Sequence, residues 1–468
     1  MSEVKKRSRK GAVYIAIQGF DDVMVTPDLV NDGVLGENLD LSYNPQTVTT
    51  NEFTNSLDRR ARIVGGFKAT LNFEAYLKGS GLPGVAPEFG RLLQACGYAE
   101  QVISTAVTGT DIAFVNATGK ITAAATNISG FTVGTALHVQ HADRRVQGSY
   151  VVTAVGAGEI TVTNEDGTAP TFPNTAAGPS VTLRRGISAA TATAGTDTSA
   201  TLAAPFAATD QLYRGAPLLL TGNPATPTLS FVNDYTAGRL AELTDKFATA
   251  LSTSTIASVP PCVVYTPASD NLPWLTVWAN LDGVMVKLFG CVGSFSVEAQ
   301  AGGAAKVKFN LSGLYDSEID QAPGATAYDG TRPAIWRDSV FEVNRRKIGT
   351  SKLMVDTKSQ VEFPPNPNGG EGFDPPIIIS REMTGSIDPN LSTVATQDIM
   401  TAFRSGETQP IHARLTGGPG AVPGNRVGMV IPAAQYSDAK PTDRNGVRAR
   451  EIPFDCTRED GGFMLCFF

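Results

Sequence analysis

The chain has 468 residues, 42% of them hydrophobic and only 18% charged, enough to bury several cores and to exclude a globally disordered protein. Its 38 Lys and Arg against 45 Asp and Glu leave a net charge of −7. That argues against a protein that grips nucleic acid through phosphates, but not against one past which nucleic acid slides. With 47 Gly, 29 Pro and many runs of Ala, Thr and Val, strands and turns are favoured over long helices, and the expectation is an all-β protein with short helices.

The first residues, 1–11, read as a basic arm, with no small-residue cleavage site of a secretory signal after the short apolar run Ala12–Ile17. No apolar stretch approaches the ~18–20 residues of a membrane helix, and no membrane partner is expected. From Phe67 to Lys78, "FKATLNFEAYLK" alternates strictly. Phe67, Ala69, Leu71, Phe73, Ala75 and Leu77 fall on one face, and Lys68, Thr70, Asn72, Glu74, Tyr76 and Lys78 on the other, the pattern of a long half-buried strand. Pro87, Phe89, Leu92, Leu93 and Cys96 then predict a short helix closed by Gly97.

Residues 101–260 change texture: rich in Ala, Thr and Gly, poor in charge, with frequent turn signals. "VGTALHV" at Val133 and "RGAPLLL" at Arg214 lie 81 residues apart, and "SYVV…AGEITVT" and "SFVN…AGRLAELT" recur at almost the same offset. Two tandem β-modules, 101–185 and 186–260, follow from this. "RLAELTDKFATAL" has a helical stripe, but its match to "EITVT" favours a strand. Beyond Leu275, two apolar runs meet at Asp282-Gly283, a hairpin signal, and a second alternating pair meets at Gly302-Gly303. The carboxy-terminal part repeats the strand-then-helix order, with Ser392 as a candidate cap and Ile399, Ala402 and Phe403 as a stripe. Asn445-Gly446 stands where Gly302-Gly303 stood, which points to a duplicated β-domain.

Chemistry-bearing clusters are sparse. His138, His141 and Asp143 have a metal-like H-x-x-H-x-D spacing, but on a strand i and i+3 face opposite ways, so a polar hairpin tip is expected. His412 stands alone in "PIHARLTG". "GLPGVAPEFG" lacks the spacing of a phosphate cradle, and "NEDGT" at Asn164 lacks that of a calcium loop. The cysteines Cys96, Cys262, Cys291, Cys456 and Cys466 are odd in number and form no CxxC, so buried free thiols are expected. No catalytic constellation can be assembled; no enzyme, cofactor or metal is expected.

The blocks "LNFEAYLKGSGLPGVAPEFGRLLQACGY" and "YTPASDNLPWLTVWANLDGVMVKLFGCVGSFSVEAQAGGAAKVKFNLSGLY" resemble the major tail tube proteins of long-tailed, non-contractile (siphovirus-like) bacteriophages. The shared pattern is a long strand, "LKGSG…G.APE", a helix ending "ACGY", and later "LDG" and "GLY". The resemblance implies a β-sandwich or partial barrel with a flanking helix, closing into rings that stack as a tube for passing DNA. On that basis residues 12–100 with 261–316 form a first tube domain, 317–329 a linker and 330–468 a second, so that three chains make a pseudo-sixfold ring. Implied partners are the chain itself, the tape measure, tail-tip and terminator proteins, and DNA in the lumen without specific binding. The implied place is the virion tail, assembled in the bacterial host cytoplasm.

Two residue sets follow from the same resemblance. The polar loop 41–62 supplies inter-ring candidates Asn44, Phe53, Asp58, Arg59 and Arg60, with 361–376 as its stiff, extended counterpart. Lys68, Thr70, Asn72, Glu74, Ser296, Glu298, Lys306 and Lys308 are lumen-facing candidates. Competing readings are a β-rich virion surface protein or adhesin whose inserted modules bind the host, and a tail-tip hydrolase, which needs two carboxylates on facing strands.

Overall fold

The structure is a computed structural model and describes all residues except 1–5, 8, 20–22, 51, 54, 56, 59, 116 and 117. It is all-β, with 50% of residues in strands and 4% in helices. The chain opens with β1 (Gly11–Gly19), β2 (Gly33–Val34), β3 (Glu37–Val48), β4 (Ile63–Tyr76), α1 (Gly90–Ala95) and β5 (Tyr98–Ile103). A first inserted sheet follows: β6 (Thr105–Gly109), β7 (Ala113–Val115), β8 (Lys120–Thr122), α2 (Ala125–Ile128), β9 (Ala136–Gln140), β10 (Gly148–Gly156), β11 (Glu159–Asn164) and β12 (Val181–Arg185). A second comprises β13 (Ile187–Thr191), β14 (Ala194–Gly195), β15 (Ser199–Thr201), β16 (Pro217–Thr221), β17 (Thr228–Tyr235), β18 (Leu240–Leu243) and β19 (Ile256–Val259).

The chain then returns to the body with β20 (Cys262–Pro267), β21 (Trp274–Leu281), β22 (Val284–Gln300) and β23 (Lys306–Asp320). The remainder is β24 (Phe341–Val343), β25 (Arg346–Lys347), β26 (Thr350–Asp356), β27 (Ser359–Glu362), β28 (Ile377–Arg381), β29 (Thr384–Pro389), α3 (Ile399–Ser405), β30 (Gln409–Leu415), β31 (Val427–Tyr436), β32 (Lys440–Arg444), β33 (Val447–Cys456) and β34 (Met464–Phe467).

The two inserted sheets have the same strand order, β6-β12-β9-β10-β11-β8-β7 and β13-β19-β16-β17-β18-β15-β14. The recurring glycines explain the sequence match. Gly134 and Gly215 both take positive φ, 91° and 74°, and donate to Val152 and Val232 just before β9 and β16. "RLAELT" contains the strand β18, with Ala241 and Leu243 buried.

The body shows a second repetition. In the first half, antiparallel pairing runs β1–β21–β22–β23–β4–β3. In the second half it runs β24–β30–β31–β33–β29–β26. The halves join where β22 pairs with β26, Val297 opposite Val355. The hairpin signals act as expected: Asp282-Gly283 and Asn445-Gly446 both have two consecutive positive φ values, the geometry of tight type I′ turns.

One apolar core serves both halves. Phe73, Phe295 and Phe309 meet at its centre, with Phe73–Phe309 centroids 5.4 Å apart and Tyr98 4.9 Å from Phe295. Each such ring contributes roughly 1.5–3 kcal/mol on burial. The helix α1 lays Leu92 and Leu93 on this core and ends at Gly97 (φ 91°). In α3 the cap is Asp398, which accepts from the Thr401 amide at 3.0 Å, and not Ser392; Asp398 sits directly before the first helical turn. The segment proposed as a linker from 317 begins later, because β23 stays paired with β22 as far as Asp320 opposite Val284. All five cysteines are free, and four are buried.

Candidate functional site

Strict alternation on β4 buries Ala69, Leu71, Phe73 and Ala75 and leaves Lys68, Thr70, Asn72 and Glu74 on the opposite face. Cross-strand partners share a face, so register decides what joins them. Lys308 lies opposite Glu74, Lys306 opposite Tyr76, Ser296 opposite Lys308 and Glu298 opposite Lys306. The eight sequence-derived candidates therefore share one polar face. The row continues through the junction of the halves, from Ser296 to Asp356, Thr384, Asp455 and Gln435.

This face is internally paired. Lys306 Nζ lies 3.0 Å from Glu37 and 3.3 Å from Glu74, and Lys308 Nζ lies 3.2 Å from Glu74. Burial alone would raise the Glu74 carboxyl, but hydrogen bonds from Lys308 and Lys306 outweigh it and hold it below its ordinary range. Lys306 is raised chiefly by its bond to Glu37. Lys68 departs from its neighbours: its ammonium sits 3.8 Å from the Phe373 ring centroid and 4.5 Å from that of Phe363, so the second-half loop covers it.

That loop is not the extended segment its prolines suggested. Strands β27 and β28 form a hairpin whose tip, 363–376, folds back on the base of β4. The Phe67 amide donates to Glu371 at 2.6 Å, and a Cβ on Gly66 would meet the Glu371 carbonyl at 1.8 Å. The first-half loop is also shorter than its polarity suggested. β3 extends to Val48, and Asn44 lies inside that strand opposite Lys68, outside the connection. Phe53 and Asp58 are exposed in the connection 49–62, where Arg60 pairs with Glu52; Arg59 lies outside the described residues.

Two of the open strand edges belong to the repeated pairing of the body. Among the described residues, β3 pairs with β4 alone and β32 with β33 alone. Tyr43 and Val48 stand exposed on the first.

A second cluster was not visible in the sequence. His412, on β30, lies directly opposite Glu342, on β24, and both face the second inserted sheet, which brings Asp245 to them. One donor atom from each lies within 4.8 Å of the others. Arg414, two residues along β30, donates to Asp245 at 2.6 Å and to the Leu229 carbonyl at 2.8 Å. Ser230 and Thr244 also donate to Asp245, at 2.6 and 3.1 Å. His412 packs against the Phe231 ring with centroids 4.8 Å apart. Burial, then Asp245, pushes the Glu342 carboxyl up to about 7, while burial and Arg414 hold His412 well below 6.5. The H-x-x-H-x-D motif, by contrast, splits: His138 contacts Ser149 within the sheet, and His141 accepts from the Asp143 amide in the following bend.

No protein-family model and no curated protein matches this chain.

Proposed function

We propose that the chain is a structural tube subunit of the kind its sequence resembles, a virion tail protein whose activity is self-assembly and not chemistry. The observation that carries this reading is the repeated pairing order together with its internal junction. Within one chain, β26 of the second half closes on β22 of the first. The equivalent strand of the first half is β3, and it lacks such a partner among the described residues. Counting along the repeat, the second-half segment equivalent to 296–300 falls in β32, whose outer edge is also open. A contact of β3 near Leu41 with β32 near Lys440 of another copy repeats the internal junction and extends the polar row from chain to chain.

An open edge is an association hazard unless a neighbour covers it, and a closed ring covers every one. With two equivalent halves per chain, three copies complete a sixfold wall. The polar face then lines the lumen. Acidic groups on it (Glu37, Asp40, Glu74, Glu298, Asp356, Glu451, Asp455) outnumber the basic Lys68, Lys306, Lys308, Lys352 and Lys440. Such a wall lets a polyanion slide without holding it. The exposed connection 49–62 is suited to reach the next ring.

The test is negative-stain electron microscopy of the purified chain over a concentration series, with and without tail-tip complexes. Hollow rings or tubes with three chains per ring are expected. Rings of six chains would overturn the two-domain arithmetic, and chains that stay monomeric throughout would overturn the function.

A further inference from the structure

We propose that Asp245, Glu342 and His412 form a binding site for one divalent transition-metal cation, of the zinc class, that pins the second inserted sheet to the second half of the body. The site does not depend on the tube reading. Its first support is placement. Glu342 and His412 are held opposite each other on neighbouring strands, and Asp245 arrives from the bend after β18 of the inserted sheet, so three donor atoms converge within 4.8 Å.

The second support is independent of that convergence. His412 is 2% exposed and Glu342 5% exposed, yet neither imidazole nitrogen and not the Glu342 Oε2 has a hydrogen-bond partner. The hydrogen bonds around them run elsewhere: the terminal nitrogens of Arg414 donate to Asp245 and to the Leu229 carbonyl, Ser230 and Thr244 both point to Asp245, and the buried Arg414 Nε makes no bond. Buried polar groups left this way are costly, and native structures rarely tolerate a cluster of them.

A single cation answers two of these three atoms: it takes the one imidazole lone pair and the Glu342 Oε2 that has no donor, and it uses an open lone pair of Asp245, leaving only the second ring N–H unmatched. Two carboxylates face the one buried guanidinium of Arg414, and the exposed Lys347 stands opposite Glu342 on β25 as the other nearby cation. Imidazole nitrogen and carboxylate oxygen are both zinc ligands, and three protein ligands leave a fourth position for solvent. Tetrahedral bonds of about 2.0–2.1 Å put ligand atoms about 3.4 Å apart, so the triangle has to close by no more than about 1.4 Å. Asp245, whose side chain is 18% exposed, marks the way in. A water molecule donates to two acceptors and leaves the Glu342 charge unmatched, which makes water with a protonated Glu342 the rival occupant.

The experiment uses the full chain, stripped with a chelator and dialysed against zinc sulfate. The expected result is one zinc retained per chain by elemental mass spectrometry. Glu342→Gln, which preserves shape, and His412→Gln should each weaken zinc binding by about tenfold or more with unchanged circular dichroism, since each removes one of three protein ligands. Cobalt substitution should give visible d–d bands without the thiolate charge-transfer band that cysteine ligation produces. No zinc retained, equal retention by wild type and both folded variants, or a thiolate band would each overturn the site. If Glu342→Gln is metal-free and as stable as the zinc-free wild type, while wild type also fails to bind, the pocket holds water only.

Discussion

Replacing Arg414 by Met tests how the second inserted sheet is held. The Arg414 side chain is 8% exposed, that of its partner Asp245 18%, and the guanidinium also lies 5.5 Å from the Phe231 ring centroid. Breaking a buried ion pair by removing one partner costs roughly 3–5 kcal/mol, because the survivor keeps its desolvation penalty. Two features pull the figure down. Asp245 keeps the hydroxyls of Ser230 and Thr244, and the Met side chain retains the packing of the Arg stem. The Leu229 carbonyl, left without its donor, adds about 1 kcal/mol back. The expected cost is about 3 kcal/mol, a shift of roughly 100-fold in the docking equilibrium. Hydrogen exchange in chelator should show it as faster exchange in β17 and β18, with the β22–β23 core unchanged. Asp245→Asn placed on top of Arg414→Met should cost little more, since the pair is already lost. A loss under about 1 kcal/mol in the single variant, or full additivity in the double, would refute the clamp.

In metal-free protein the pH dependence of the two buried groups has opposite sign. Glu342, raised to about 7, takes a proton in the folded chain that the unfolded chain does not take between 4.5 and 7, whereas His412, lowered, stays neutral where the unfolded chain charges it below 6.5. His412→Gln should therefore lose stability as pH rises from 4.5 through 7, and Glu342→Gln should lose it as pH falls below 6.5; denaturant midpoints with the same slope in both variants would contradict this. At Gly428 a Cβ would stand 2.2 Å from the Phe231 ring, so Gly428→Ala should destabilise sheet docking by about 1–3 kcal/mol, read by proteolysis near Pro260 and Pro261. Gly66→Ala meets the backbone carbonyl of Glu371 at 1.8 Å and should release the 363–376 tip, measured as faster exchange at the Phe67 amide with the core unaffected.

What was legible in the sequence was local. The alternation of 67–78 and the Asp-Gly and Asn-Gly turns are written in a few adjacent residues, and the 81-residue repeat rests on glycines that need positive φ. Residues 41–48 of β3 look like loop in the sequence because this edge strand half-buries only Leu39 and Leu41 and shows water the rest of its length. The segment 361–376 looks extended in the sequence because the partners of its tip, Phe67 and Lys68, lie three hundred residues earlier. His412 looked solitary for the same reason. One signal was present: in "PIHARL", Ile411, Ala413 and Leu415 alternate with His412 and Arg414, and nothing in the strand is exposed. A strand whose polar residues are as buried as its apolar ones must have partners for them on a second layer, and here the inserted sheet supplies it.

The position of that layer follows from the body. The chain leaves at Ile103 and returns at Cys262, which sit opposite each other on one rung of the β5–β20 ladder. An insertion whose ends meet on one rung costs the host sheet little, so the first half can carry two added sheets without losing its own pairing. The anchorage is nonetheless on the other half. Arg345, Arg414 and Arg458 reach from the second half to Glu242, Asp245 and Asp234, and Val430, Met464, Cys466 and Phe468 share a core with Phe231 and Tyr235. A sheet rooted in one half and sealed to the other can make all of these contacts only when the two halves are joined as they are here. The insertion therefore locks the duplication in place, and it ties the β22–β26 junction to contacts that a separate copy of either half would not possess.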